Sequence, residues 1–324
     1  MFSNFYSSIP IIIILALLVD ILIGWPNKLF IIIGHPVTWI GKAINFLEKT
    51  LNKQQFSVIQ KRVLGILMIC FLTLPIVTSA IYLNSFLKEL PFYIIIEAIL
   101  IWPFLAIRSL YTHVYAILLE LERDDLGSAR IALSKIVGRD VKNLNEEQIC
   151  KASIESLSES TADGVIAPIF WVLVFGFPGI LFYKIVNTLD SMVGYKNERF
   201  QDFGWASARL DDLINWIPAR LTAILISALT SNPLKAFLFS SKNSLASPSP
   251  NAGWPQSAMA YALQISLMGQ KSYNGLVVDQ ASINEYAPSP KRENLRESLK
   301  LYKKTIVLVT AILIVFSFLW SLNK

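Results

Sequence analysis

Residues 63–83 and 305–322 contain no charged side chain at all, and residues 9–23 and 92–107 contain one acid each, Asp20 and Glu97. Runs of about 20 apolar residues are long enough to cross the hydrocarbon layer of a bilayer as helices. In that layer every backbone N–H and C=O must be satisfied internally, so an open sheet or irregular chain is excluded. The rest of the composition agrees: 54% of the 324 residues are hydrophobic, only 16% are charged, and the mean hydropathy is +0.51. These values are too apolar for an ordinary soluble protein. The chain is therefore expected to be an all-α, polytopic integral membrane protein, a single domain over residues 1–324. It is expected to have about four full spans, near residues 9–23, 62–83, 92–112 and 304–322.

The first apolar run is not expected to be a cleaved signal peptide, because no basic segment precedes it and no small-residue cleavage site follows it before Gly24. Six Lys or Arg lie between Gly24 and Arg62, whereas the connection from Asn84 to Pro91 has only Lys88. The positive-inside bias then puts the first loop in the cytoplasm and the N-terminus outside. The net charge of +6 suits an anionic cytoplasmic leaflet, and no nucleic-acid-binding motif accompanies it. Two cysteines, Cys70 and Cys150, make neither a disulfide framework nor a metal cluster.

Gly34-His35-Pro36 reads as a structured turn before an amphipathic helix, with His35 stabilising the turn rather than acting as a base. The segment from Phe92 to Leu121 reads as one long helix leaving the membrane. Residues 123–148 then look soluble and helical, with a new helix opening at Asn145. Two further apolar segments, 164–186 and 213–230, are interrupted by Pro168, Gly176, Pro178 and Gly179 and by Pro218 and Arg220. Both are expected to re-enter or lie along the membrane, which leaves all the polar segments among cytoplasmic helical loops. Residues 256–268 read as a short apolar helix, 269–283 as a polar turn region, and 291–304 as a basic helix entering the last span.

The chemically dense part is residues 187–220, which holds Asp190, Asp202, Asp211, Asp212, Lys196, Arg199, Arg209 and Arg220 between two apolar segments. On a helix, Asn187 and Asp190 face the same way, and so do Asp211 or Asp212 and Asn215. Oxygen ligands so spaced suit Mg²⁺, which takes one or two carboxylates and completes its shell with water and substrate phosphate. Arg199, Arg209 and Arg220 supply forked donors for phosphate or carboxylate. Just upstream, Glu155, Glu159 and Asp163 are spaced by four, so a helix would carry them on one face. A solvated acidic face and a salt-bridge network capping interfacial helices are the plain alternatives to a site. No P-loop, GxGxxG, zinc-ligand spacing or GxSxG elbow is present.

Five segments together resemble the CobD/CbiB family: NTLDSMVGY (187–195), ARLDDLINWIPARLTA (208–223), ESLSESTADGVIAP (155–168), SPNAGWPQSAMAYAL (249–263) and DILIGWPNKL with GHPVTWIG (20–41). The resemblance runs from Asp20 to about Gly275. It implies an integral-membrane ligase of cobalamin biosynthesis, set in the cytoplasmic membrane with its active site facing the cytoplasm. The implied reaction joins (R)-1-amino-2-propanol or its O-phosphate to the propionate of adenosylcobyric acid, with consumption of ATP. The chain departs from the family pattern at Trp25-Pro26, Glu159-Ser160-Thr161, Gln264 and Met268-Gly269.

On that resemblance, Asp190, Asp211 and Asp212 would hold Mg²⁺ with ATP. Asn187, Thr188, Asn215, Arg209 and Arg220 would position phosphate or carboxylate. Glu155, Glu159 or Asp163 would serve the amine as base or counter-charge. Tyr195, Trp254 and Trp39 would offer flat surface to the corrinoid substrate. The lipid bilayer is the other partner, and a complex with later cobalamin-assembly enzymes is left open. The competing class is a non-enzymatic signalling protein of the AmpE type on a similar scaffold.

Overall fold

A computed structural model describes residues 2–273 and 275–322, the first six of these by their backbone alone. In chain order the helices are α1 (Phe2–Leu22), α2 (Asn27–Ile33), α3 (Pro36–Leu51), α4 (Val58–Leu87) and α5 (Tyr93–Ile101). They continue with α6 (Ile107–Glu122), α7 (Leu126–Leu133), α8 (Glu146–Thr161), α9 (Ala167–Val193) and α10 (Trp205–Ile214). The last four are α11 (Trp216–Ser227), α12 (Pro233–Asn243), α13 (Gly253–Leu263) and α14 (Arg292–Leu322). Strands β1 (Leu267–Met268) and β4 (Ser282–Ile283) pair antiparallel, as do β2 (Lys271–Tyr273) and β3 (Leu276–Val278). The chain is an all-α, multi-pass membrane protein.

Among the described residues, five helical stretches are long and apolar enough to cross a membrane: Asn27–Leu51, Val58–Leu87, Tyr93–Glu122, Glu146–Val193 and Arg292–Leu322. Ser8–Leu22 and Trp216–Ser227 are shorter apolar helices. At about 1.5 Å per residue a 12-residue helix falls well short of the ~30 Å hydrocarbon layer, so α11 is too short to cross. Three expectations change in detail. The segment from Phe92 to Leu121 is not one regular helix: Trp102-Pro103-Phe104 forms a 3₁₀ turn and Leu105 is extended. Proline, lacking an N–H and locked in φ, explains the break. The apolar helix expected over 256–268 lies instead at Gly253–Leu263, ended by Gln264 in the left-handed conformation. The polar turn region after it contains the two short strand pairs.

Other local readings hold. Asn145 caps α8 by accepting from the Gln148 amide, and Gln148 returns the bond to the Asn145 amide. His35 caps α3, its Nδ1 accepting from the Val37 amide. The interruption expected in residues 164–186 is at Gly176, whose φ of 66° and ψ of −152° break α9. Only glycine takes that conformation without strain.

The chain divides into two compact units. The first comprises residues up to Ala106, Ala167–Asn215 and the end of α14 from Leu313; the second comprises Ile107–Ile166 and Trp216–Ile312. In the first unit Ile44, Met68, Leu72, Ile185, Leu189 and Phe203 form one buried core that packs α3, α4 and α9 together. A smaller core of Ala167, Tyr183, Val186 and Ile214 seats α10 against α9. In the second unit Val114, Ile117 and Leu121 of α6, Leu133 of α7 and Ile149, Ile154 and Leu157 of α8 are all buried.

Candidate functional site

In the first unit, α9 ends at Val193 and α10 begins at Trp205, and the loop between them is pinned at several points. Arg199 forks onto the buried Glu48 carboxylate at 2.7 and 3.1 Å, and the Arg199 carbonyl accepts from Asn52 Nδ2 at 2.9 Å. Arg62 pairs with Asp202 at 3.2 Å. Arg199, read from sequence as a phosphate donor, thus has its fork committed to Glu48. Close packing dictates two glycines here. A Cβ on Gly204 would collide with the Val193 carbonyl, and one on Gly194 would collide with the Asp190 carboxylate.

Between α9 and α10 runs a chain of polar groups, buried at Tyr183, Asp211 and Asn215 and partly buried at Asn187. Tyr183 donates to Asn215 Oδ1 at 3.0 Å, Asn215 Nδ2 donates to Asp211 Oδ2 at 3.0 Å, and Asn187 Nδ2 donates to Asp211 Oδ1 at 3.2 Å. The helical spacing of Tyr183 and Asn187 on α9, and of Asp211 on α10 and Asn215 at its C-terminal cap, puts these groups on facing turns. Asp211 therefore has both oxygens bonded, but only to neutral amides. Burial pushes its carboxyl up to about 6, opposed by the two amide bonds and reinforced by the charge of Asp212.

Next to this network lies a cavity of about 300 Å³ lined by Gly194, Tyr195, Lys196, Phe200, Trp205, Arg209 and Asp212 among others. Asp212 lies 3.8 Å from Arg209. Its carboxyl is raised by partial burial, with Arg209 and Lys196 pulling the other way. The cavity combines one acid, two cations and three aromatic rings. Asp190 comes up against Gly194 in its wall, whereas Asp211 is not among the lining side chains. Among the described residues no group of three or more His, Cys, Asp and Glu is placed to hold a metal ion. Asp190, Asp211 and Asp212 therefore do not converge as a three-carboxylate set. Asp211 and Asp212 are neighbours on a helix, so their side chains diverge by about 100°. Asp212 lines the cavity and Asp190 lies against Gly194 of its wall, which still fits the one or two carboxylates that Mg²⁺ uses when phosphate oxygens complete its shell. Thr188 spends its hydroxyl proton on the Lys184 carbonyl, at 2.6 Å.

The remaining expected residues, Trp39 of the first unit apart, belong to the second unit. Glu155 is 3% exposed and is held by Arg139 at 2.6 Å, Lys271 at 3.2 Å and the Met268 amide at 2.7 Å. This is a latch fastening α8 to the β1–β2 segment, and it leaves the carboxylate badly placed to take a proton from an amine. Glu159 accepts from Gln256 at 3.4 Å. Asp163 falls in a π turn, Ala162–Ile166, that interrupts the regular four-residue spacing. Arg220 and Trp254 do meet: the guanidinium lies 4.4 Å from the centroid of Trp216 and 4.7 Å from that of Trp254. Arg220 also donates to Asn251 Oδ1 at 3.1 Å and to the Trp216 carbonyl at 2.8 Å. Trp39 is half-exposed and donates to the Ile33 carbonyl at 2.7 Å.

Sequence reasoning missed Tyr183 of the network and Phe200 and Trp205 of the cavity wall in the first unit. Tyr183 could have been found, since it precedes Asn187 by one helical turn. Arg139 and Lys271 could not, because nothing in their local sequence points to Glu155.

A multi-pass helical membrane protein with a mixed-charge cavity beside a buried Tyr–Asn–Asp–Asn network is the class these observations define. The chain belongs to the CobD/CbiB family, described as CobD/Cbib protein, which matches residues 13–302. It is 40% identical over 310 residues to the cobalamin biosynthesis protein CobD of Rhodobacter capsulatus, covering 96% of this chain and 98% of that protein. The protein of the same name from Rhizobium meliloti is 38% identical over 286 residues, 86% of this chain and 88% of that one. That of Halalkalibacterium halodurans is 36% identical over 306 residues, covering 92% and 93%. No solved structure matches the chain.

Proposed function

We propose that the protein is an enzyme of cobalamin biosynthesis that forms an amide bond at the expense of ATP. The amine is 1-amino-2-propanol or its O-phosphate, and the acid is the propionate of adenosylcobyric acid. The family assignment supports the pathway. The observation that carries the chemistry is the cavity holding Asp212, Arg209 and Lys196 directly beside the buried Asp211 network.

A carboxylate is a poor acyl donor, and phosphorylation by ATP converts it to one an amine can attack. Arg209 and Lys196 neutralise phosphate charge, which preorganised cations do most effectively in a site sheltered from water. Asp212, with Asp190 beside Gly194, is the pair suited to hold Mg²⁺, and that ion would screen the phosphates when bound. The rings of Tyr195, Phe200 and Trp205 offer flat surface to a planar ligand group. Asp211 keeps α9 and α10 in register through Asn187 and Asn215 and supplies a further negative charge behind Asp212. In the second unit, Arg220, close to two indole rings, is a fixed cation for a carboxylate or phosphate. Glu159 and Asp163 are the acids left to serve the amine, since Glu155 is committed to Arg139 and Lys271.

The test uses purified protein in detergent with adenosylcobyric acid, aminopropanol phosphate and Mg-ATP. ATP hydrolysis that requires both organic substrates, with an amide product, is the expected result. No hydrolysis with either amino alcohol, from a well-folded preparation, would overturn the ligase reading in favour of a signalling role. The site is proposed to face the cytoplasm, where ATP is. A cysteine placed at exposed Ser191 should then resist impermeant maleimide in intact cells and react in inverted vesicles.

A further inference from the structure

A cavity in the second unit plays no part in the function above. It measures about 390 Å³ and is lined by Ser231, Tyr261, Glu297, Lys300 and Lys304, with Leu229, Leu263 and Leu301 supplying apolar wall. Glu297, Lys300 and Lys304 are spaced by three and four on α14, so they share one helix face. That face continues through Val307 and Ala311, both exposed, while Leu295, Ser298, Leu299, Tyr302 and Thr305 are buried. One stripe of α14 thus runs from an acid through two cations to bare aliphatic groups. The charge-free run beginning at Thr305 puts the change from water to hydrocarbon directly after Lys304.

We propose that this cavity is a phospholipid headgroup site selective for phosphoethanolamine lipids. Lys300 and Lys304 hold the phosphate, Glu297 accepts from the primary ammonium, and an acyl chain lies along Val307 and Ala311. Lys300 is paired with Glu297 at 2.7 Å, and both side chains are more than half exposed. Such a pair is worth little in water and exchanges readily for a ligand carrying both charges. Lys304 has no ion partner within 4.0 Å among the described residues. The hydroxyls of Ser231 and Tyr261 are further donors to phosphate oxygens. The acid is what makes the site selective. An anionic glycerol headgroup brings a phosphate but no cation for Glu297, and a choline headgroup brings a cation with no N–H to donate.

Native mass spectrometry of the full chain, delipidated in detergent and titrated with defined lipids, tests this. Wild type should retain phosphatidylethanolamine about tenfold more tightly than phosphatidylcholine or phosphatidylglycerol. The K300A/K304A variant should lose that retention by about tenfold, and E297Q should keep phospholipid while losing the preference over phosphatidylglycerol. All three positions are exposed, and an unchanged helical circular-dichroism spectrum confirms folding. Equal retention of the three lipids by wild type and by the double variant would overturn the site. Displacement of the lipid by soluble O-phosphoethanolamine at matching concentration would overturn the lipid assignment in favour of a soluble phosphomonoester.

Discussion

Two buried carboxylates, one in each unit, are surrounded in opposite ways. Glu155 is covered by two cations and a backbone amide. Asp211 is covered by two neutral amides and has an acidic neighbour. A buried charge costs several kcal/mol unless it is paired, so Glu155 is at rest as an anion and Asp211 is not. A carboxylate whose charge is already compensated serves architecture. One that is compensated only in part is a place for a proton, a cation or a cationic ligand to act.

The sharpest way to break this contrast is to remove Glu155. Glu155→Ala leaves Arg139 and Lys271 facing each other with their shared anion gone, and it should destabilise the protein by about 3–5 kcal/mol. Equilibrium unfolding in mixed micelles reads this, and a loss under about 1 kcal/mol would deny the latch.

Asp211→Asn should behave in the opposite sense. Because its carboxyl in the folded chain is raised from 3.8 to about 6, the native state holds the proton more tightly than the unfolded chain does. The charge therefore costs nothing below pH 3.8, costs progressively more as pH rises to about 6, and is fully destabilising above that. A gap of about 2 pH units corresponds to roughly 3 kcal/mol. The asparagine variant, with the Asn187 amide turned to donate and accept correctly, should be more stable than wild type at pH 7.5 and equal to it near pH 4. Its turnover should fall on the order of 100-fold, about 2.7 kcal/mol of barrier. A variant that stayed active would remove Asp211 from the chemistry.

The same proton sharpens the comparison by titration. Stabilisation by Mg-ATP should weaken as pH falls through about 6, where Asp211 becomes neutral. In Asp211→Asn, where the side chain is neutral at every pH, the stabilisation should be weaker throughout and show no step near 6. Unfolding temperatures with and without Mg-ATP at pH 5, 6 and 7.5 would show it, and a pH-independent shift would separate the network from cation binding. The smallest effect concerns the far end of the network. Tyr183→Phe leaves Asn215 Oδ1 without its donor and should cost about 1 kcal/mol, with a modest fall in turnover. A fall as large as that of Asp211→Asn would mean that Tyr183 itself touches substrate.

Much of this was legible locally. The break at Gly176, the His35 and Asn145 caps and the basic entry of α14 into its apolar run all follow from residue type and near-neighbour spacing. The pairing of Asp211 with Asn215 is an i,i+4 relation, and the involvement of Asn187 followed from the density of polar groups between apolar segments. The assignments that moved depend on residues far apart in the chain. Arg199 looked like a ligand donor until Glu48, some 150 residues earlier, was seen to take its fork. Glu155 looked like one of three equivalent acids until Arg139 and Lys271 singled it out. The straight helix expected through Trp102 failed because one proline outweighed a continuous apolar pattern.

By itself the sequence determined that this protein is helical, crosses a membrane several times, and carries a concentrated polar stretch between apolar segments. Hydropathy, helical period and helix breakers act over a few residues, and that range is enough for such conclusions. Which carboxylates are neutralised, and which stay poised, was decided only by the tertiary structure. Charge compensation in a buried site depends on distances of about 3 Å between groups that sequence position does not relate. Asp211 and Glu155 are the same functional group, and only what folds around each one sets them apart.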